Sequence, residues 1–506
     1  MQQIKAQFNK IEQPMKKFFL FSCLDLSVGA LGMLLYGIFT STYGPIWIRN
    51  QYIGLWLLTI LFFYSIQSIY LELRTWPNKI TYFLDVAFFS ITVILTLILS
   101  IFYCISVRID GIVWGFYIFA VNLTNVSILF LKRHHLKYKN PKTPIKKPLF
   151  ILIQTIKVLN FILRLIFLVV ICFMINGASK EAIGKSKYPA RGQIVELKIS
   201  NTSNTKVKFH FLCDGPKTDK PVFLFEGSGS HGMADYLSLQ ILLKKNNRRS
   251  CIWDKPGLGY SDYLTTDFKS HGDMYDYLID SLGEKGPFEL VGWGGGGSLI
   301  YEYASRRPEN VRSLTFLDSG VFDMEFKIIK KLKNWSDSEL EKYKKSEYFS
   351  RKSLFSLING IGVPFGLMSS FIPGYKVYFN ELTDEVNWYF LTEKTWITQE
   401  YLLYDVFYGK DAFELKINQS IPINIIMTVK SDEQIKEQIC KKQGYGFDSE
   451  KCKYEIDSNR LSIDYRAKLK DLSLSGNIFN CTIDDCELGY YVGLGANYTV
   501  DKLVQL

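Results

Sequence analysis

The apolar residues of this chain are crowded into its first third, and that unevenness limits it more than any other feature. Long uncharged runs occur only up to about residue 176, and the remaining residues read as an ordinary globular sequence. A membrane-spanning helix needs about 20 mostly apolar residues. Five segments supply them: Phe18 to Thr40, Ile53 to Leu71, Ile80 to Val107, Gly111 to Leu131, and a stretch inside Leu149 to Ile175 that Lys157 and Arg164 interrupt. One such run reads equally as a buried core helix, but five in series do not. The sequence predicts a multi-span α-helical membrane domain over 1–176, a polar connector over 177–191, and a globular domain over 192–506 large enough for one well-buried core.

Lysine and arginine in the short loops set the orientation. The N-terminal tail carries Lys5, Lys10, Lys16 and Lys17, the next loop only Arg49, the following one Arg74 and Lys79, and the next only Arg108. The last stretch holds Lys132, Arg133, Lys137, Lys139, Lys142, Lys146 and Lys147. High and low alternate, so the N-terminus belongs on the positive-inside face. With five spans the large domain lies opposite; if the fifth segment only lies in the interface, that domain returns to the inner side. Asp25, Asp85 and Lys157 fall near the inner ends of the first, third and fifth spans. Intramembrane charges are costly and usually paired, so one expectation is an ion-pair cluster and the other is snorkelling to the headgroups. The first apolar run is too long, and lacks the small-residue pattern, for a cleavable signal peptide. The net charge of +11 raises nucleic acid as a partner. Its densest basic cluster, however, lies between two apolar spans, where a juxtamembrane role is expected. No nucleic-acid motif occurs elsewhere, so no such partner is expected.

Past the connector, strand and helix patterns alternate. Strands are predicted at Ile194–Ile199, Lys206–Cys213, Val222–Glu226, Ser250–Asp254, Phe288–Val291, Ser313–Leu317, Ile423–Val429 and Asn477–Cys481, and helices at Met233–Lys245, Met274–Leu282 and Ser298–Arg307. Two early strands followed by β-α repeats imply a mostly parallel sheet with an antiparallel start. About 319–420 is rich in aromatics and reads as a helical lid.

Five segments then fall in a telling order: PVFLFEGSGS (Pro221 to Ser230), IWDKPGLGYSD (Ile252 to Asp262), FELVGWGGGGSLIYEYA (Phe288 to Ala304), IPINIIMTVKSDE (Ile421 to Glu433) and GYYVGLGANYTVDKLVQ (Gly489 to Gln505). Together they resemble the α/β-hydrolase superfamily over about 192–506: the oxyanion strand and loop, the aspartate-x-proline-glycine-x-glycine-x-serine turn, the nucleophile elbow, the acid loop and the closing glycine-histidine segment. The resemblance implies α/β architecture, with an eight-stranded, mostly parallel sheet under the lid, and calls for no cofactor and no metal.

At the same places the chemistry fails. The elbow pattern is Gly-x-Ser-x-Gly; Gly292 and Gly296 keep the flanks, but the nucleophile position is Gly294, which has no side chain to attack with. The base position is Tyr490, whose phenol cannot replace imidazole as a proton shuttle near neutral pH. The oxyanion-loop position is Glu226, a carboxylate that repels a developing oxyanion. Only Asp432 stands where the acid belongs. A pseudoenzyme is the expectation. Ser298 sits in the helix and faces the wrong way for attack, while Ser228, Ser230 and His231 offer a remote rescue. A rival reading takes Gly292 to Gly297 as the G-x-G-x-x-G of a dinucleotide site, with Asp318 as the ribose-binding acid. Against it, about 100 residues of sheet precede the fingerprint, which normally opens its domain.

Six of the nine cysteines lie in the globular domain. Cys440 with Cys452, and Cys481 with Cys486, are close enough in sequence to bridge. The resemblance makes the second and fourth strands neighbours, so Cys213 and Cys251 can also meet. An even number favours disulfides outside the cytosol, with free buried thiols as the alternative. Sequons at Asn201, Asn334, Asn418, Asn480 and Asn497 lean towards the secretory route. The expected function is a non-catalytic accessory subunit of a larger membrane complex, in contact with other membrane subunits and the bilayer. Respiratory assemblies often retain degenerate enzymes, so the mitochondrial inner membrane is the expected home and the secretory or plasma membrane the second. The alternatives are a lipid or acyl-ligand sensor and a residual esterase or lipase.

Overall fold

The computed structural model describes residues 79–107, 147–198, 206–227, 232–262, 271–319, 324–358, 377–392, 415–481 and 495–506, with isolated positions at 60, 62, 63, 66, 67, 119, 123, 395, 396 and 398. The chain divides into two units, Met1–Lys187 with Leu357–Phe371, and Tyr188–Ser356 with Ile372–Leu506.

In the first unit, α1 (Lys79–Val107) and α2 (Lys147–Lys187) are the long described helices. Their stretches Tyr82–Phe102 and Gln154–Lys187 are long and apolar enough to cross a membrane. They coincide with the third and fifth expected spans; the first expected span, and most of the second and fourth, lie outside the described residues. Hydroxyls in an apolar helix must find partners within it. Thr92, Thr96 and Ser100, spaced four apart, donate to carbonyls one turn back at 2.6, 2.8 and 2.7 Å.

Two expectations are corrected here. Asp85 pairs with Arg164 rather than Lys157: Arg164 Nη1 lies 2.7 Å from Asp85 Oδ1, and its Nε donates to Gln67 Oε1 at 3.0 Å. A guanidinium fork serves two acceptors at once, which a point-like ammonium does less well. Lys157 is half-exposed one heptad earlier, and Asp25 lies outside the described residues. Most of the expected connector is also helix, because α2 continues to Lys187. Phe167, Ile171, Met174, Ala178 and Ala182, buried at helical spacing, carry it past Gly177.

The second unit holds an eight-stranded sheet built from β1 (Gln193–Lys198), β2 (Lys206–Asp214), β3 (Phe223–Gly227), β4 (Ser250–Trp253), β5 (Phe288–Trp293), β6 (Val311–Leu317), β7 (Ile423–Thr428) and β8 (Ile478–Cys481). Its order is β1-β2-β4-β3-β5-β6-β7-β8, antiparallel for the first two pairings and parallel for the rest. Every expected strand forms, with ends displaced by one or two residues. The two-residue period sends Phe209, Leu290, Leu314 and Ile425 to one core and Phe225, Ile252, Val291 and Ile426 to the other.

Helices cover both faces: α3 (Leu237–Lys245), α4 (His271–Ser281), α5 (Gly296–Arg306), α6 (Met324–Lys333), α7 (Asp337–Leu357), α8 (Thr383–Leu391), α9 (Asp432–Ile435), α10 (Glu450–Lys468) and α11 (Ala496–Gln505). The expected helix at 233–245 is a 3₁₀ turn, Gly232–Tyr236, leading into α3. The described part of the lid is helical, as α6, α7 and α8. Disulfides join Cys213 to Cys251, directly opposite across β2 and β4, and Cys440 to Cys452. Cys481 is also disulfide-bonded; Cys486 lies outside the described residues.

Candidate functional site

The strand β5, apolar apart from Glu289, which pairs with Arg248, runs to the sheet's carboxyl end and then turns sharply into α5. Gly294 makes the turn with φ +53°, a left-handed conformation that costs an L-residue about 1–2 kcal/mol. Its neighbours are fixed by close approach. A Cβ on Gly296 would lie 2.1 Å from the Glu226 carbonyl oxygen, and one on Gly292 would lie 2.7 Å from Gly297 Cα. Ser319 Oγ donates to the Gly294 carbonyl at 2.5 Å and closes the turn. The elbow backbone is therefore intact, but its tip presents only hydrogen atoms.

Glu226, near the end of β3, is 1% exposed. Its Oε1 is 2.7 Å from Lys255 Nζ, and its Oε2 accepts from Trp253 Nε1 at 2.8 Å. The partner lysine comes from the turn after β4, so the pair spans adjacent strand ends. Of the two depressions beside it, one is lined by Gly227, Tyr236 and Leu258 and the other by Phe209, Tyr275 and Leu299; each has room for about one water. A carboxylate neutralised by an ammonium gives this corner no spare positive charge for an oxyanion.

Asp432 begins α9, whose capping box is built by Ser431 and Gln434. It faces Arg460 of α10, whose Nε lies 3.2 Å from its Oδ1 and whose Nη2 bonds its Oδ2. It is a partly exposed ion pair. Tyr490, Ser228, Ser230 and His231 lie outside the described residues. Ser298 is the third residue of α5, in its first turn, and is buried.

The dinucleotide reading loses its acid. Asp318 follows β6 at φ +42°; its carboxylate accepts from Thr428 N and Oγ1 at 3.1 and 2.7 Å and from Arg466 Nη1 at 2.7 Å. The glycines are likewise accounted for by packing α5 against the strand ends. Among the described residues one grouping has metal-ligand spacing, Cys213, Cys251 and Glu284. Its sulfurs are joined to each other, and Glu284 accepts from Arg249 Nη2 and Nε at 2.7 and 3.0 Å.

Between β2 and the end of β4 lies a polar centre built around His210, which sequence reasoning missed. Asp254 Oδ1 accepts from Met233 N at 2.8 Å, and Oδ2 accepts from Tyr260 N at 2.9 Å and lies 2.6 Å from His210 Nδ1. His210 N donates to Ser261 Oγ at 3.0 Å, and Ser261 Oγ donates to the Asp254 carbonyl at 2.7 Å. The aspartate and serine of the DxPGxGxS turn thus hold one another, with His210 between. Burial pulls the His210 imidazole down, but the hydrogen bond and charge of Asp254 and the Arg191 carbonyl overcome it and leave it raised. Tyr260, partly buried beside the same carboxylate, is pushed up to about 12. Asp254 and Ser261, inside the DxPGxGxS turn, are the legible part of this centre.

Compared with known proteins, residues 220–345 match the alpha/beta hydrolase fold family. The chain is similar to an uncharacterized protein of Schizosaccharomyces pombe, 36% identical over 75 residues, 14% of each chain. It is similar also to monoacylglycerol lipase abhd6-B of Xenopus laevis, 29% identical over 153 residues, 29% of this chain and 44% of the lipase. The chain thus spans less than half the length of these curated relatives. Among solved structures, the Cif epoxide hydrolase of Acinetobacter nosocomialis is 15% identical with a TM-score of 0.43, over 65% of this chain and 96% of that one. An esterase of Thermogutta terrifontis is 12% identical with a TM-score of 0.41, over 62% and 96%. Eight strands in this order, an elbow after β5 and the family match over 220–345 establish that the second unit has the α/β-hydrolase fold.

Proposed function

We propose that this protein is a non-hydrolytic, membrane-anchored member of the α/β-hydrolase fold, acting as an accessory subunit whose second unit is a docking surface for other membrane proteins. Gly294 carries the reading: the elbow keeps its shape and lacks an attacking atom, and the Glu226–Lys255 pair fills the corner where an oxyanion would be held. Removing a nucleophile removes the covalent route itself, not a part of its rate. The alternating basic loops support five spans with the second unit opposite the positive-inside face. The disulfides support an oxidising compartment, and we favour the outer face of the mitochondrial inner membrane over the secretory membranes.

A residual hydrolase is the second reading, supported by the similarity to a monoacylglycerol lipase and by Ser228, Ser230 and His231 after β3. One experiment separates the two. The full chain in mild detergent is offered a monoacylglycerol, a generic short-chain ester and a fluorophosphonate probe, and its co-purifying chains are identified. The accessory reading expects no turnover, no labelled serine and stoichiometric partners. Turnover abolished by Ser228→Ala or Ser230→Ala overturns it.

A further inference from the structure

His210 lies on β2 between two groups that can only accept. Its Nδ1 is 2.6 Å from the Asp254 carboxylate, and its Nε2 is bonded to the carbonyl oxygen of Arg191. A neutral imidazole carries one N–H and one lone pair. Either tautomer would aim a lone pair at one of these oxygens, so the site is satisfied only by the doubly protonated ring. The ring is fully buried and edge-on to Tyr260, 5.3 Å between centroids.

Residues 188–191 directly follow α2 and enter the second unit as a strap. Three contacts hold them there. Tyr260 Oη donates to the Tyr188 carbonyl. Arg191 Nε and Nη2 donate to the Glu385 carboxylate of lid helix α8 at 2.9 and 2.7 Å. His210 Nε2–H donates to the Arg191 carbonyl. Tyr188 also lies against Trp388 of α8, 5.8 Å between ring centroids, and Tyr260 against Tyr389, at 6.1 Å. The strap therefore touches both β2 and lid helix α8.

We propose that His210 is a buried imidazolium acting as a proton-operated latch: protonated, it clamps the 188–191 strap onto the sheet, and on losing its proton it releases the strap together with the strap's grip on lid helix α8. The titratable and charged groups facing it, among the described residues, are Asp254 from the end of β4, Tyr260 from the following turn, Arg191 from the strap, and Glu385 and Tyr389 from α8. Burial holds Tyr260 at about 12 and raises Tyr389 well above its ordinary range, so neither competes for the proton below strongly alkaline pH. With its folded value raised, His210 contributes stability that is fully present below the unfolded value of about 6.5. That contribution is lost as the pH rises through the folded value. The latch therefore closes towards acid and opens towards alkali.

The test uses the full chain in detergent micelles, in a variant whose other histidines are glutamine (His134→Gln, His135→Gln, His231→Gln and His271→Gln), leaving His210 to report alone. Ring ¹⁵N shifts give its protonation state, and hydrogen exchange at 188–192, normalised to intrinsic rates at each pH, reports the strap. The expected result is a doubly protonated ring at pH 7, with strap protection falling at least tenfold over the same pH range in which the ring loses its proton. In wild-type chain the exchange profile should match, and in His210→Gln it should be flat with pH. A neutral ring at pH 7, or wild-type strap protection that does not change as the ring titrates, overturns the proposal. Both measurements stand on chains that retain His210, so a failure of His210→Gln to fold does not spare it.

Discussion

The elbow after β5 and the turn after β4 follow strands separated by β3 and both match family patterns, yet they hold opposite things. The elbow has its backbone, with Gly292, Gly296 and Gly297 packed where no Cβ fits, and no side chain at Gly294. The turn keeps its side chains, because Asp254 and Ser261 tie the loop to β2 and to the 232–236 turn. A side chain that takes several buried hydrogen bonds is fixed by the fold, whereas the tip of the elbow is shaped by backbone alone.

Substitutions ranked by size would break or sharpen that contrast, each read as thermal or denaturant unfolding of the full chain in detergent. Asp254→Ala should be the worst, at about 3–5 kcal/mol, because it leaves the buried His210 Nδ1 without its counter-charge and frees two backbone N–H groups. A loss under about 1 kcal/mol would show that the turn is not structural. Gly296→Ala should come second at about 3 kcal/mol, since its Cβ meets backbone on β3 that cannot swing away. Glu226→Gln alone should cost about 2–3 kcal/mol by leaving Lys255 buried without its counter-ion, whereas Glu226→Leu with Lys255→Met should be neutral or stabilising. If the double variant is worse than the single, the pair does more than neutralise itself.

Gly294→Ser should cost only about 1–2 kcal/mol, the strain of φ +53°, and should leave ester turnover at background, because the base position holds Tyr490 and not histidine. Appearance of turnover would mean that a base stands within reach. The smallest effect is expected for Arg460→Ala, within about 0.5 kcal/mol, since its partner Asp432 is part-exposed and screened by water. A large loss there would return Asp432 to the site.

Much of the fold is legible in the sequence. Strand positions come from two-residue alternation and the turns from glycine, aspartate and proline, so the sheet is readable to within a residue or two at each end. The elbow is legible because its glycines are spaced as the fold demands. His210 is not. It sits in register with Lys206 and Lys208, on the strand face that alternation reads as open to water, yet it is fully buried. Its Nε2 is met by the strap at 188–191, which reads in sequence as a featureless connector.

By itself, the sequence determined where apolar runs, strands and turns lie, because each of those is written in spacings of two to four residues or in the backbone freedom of one residue. Only the tertiary structure decided the partners of the charges. Arg164 meets Asp85 across 79 positions of sequence and His210 meets Asp254 across 44, separations over which no local periodicity carries information. Burial then made those choices binding, since a charge removed from water must have a counter-charge or an acceptor at hydrogen-bond distance.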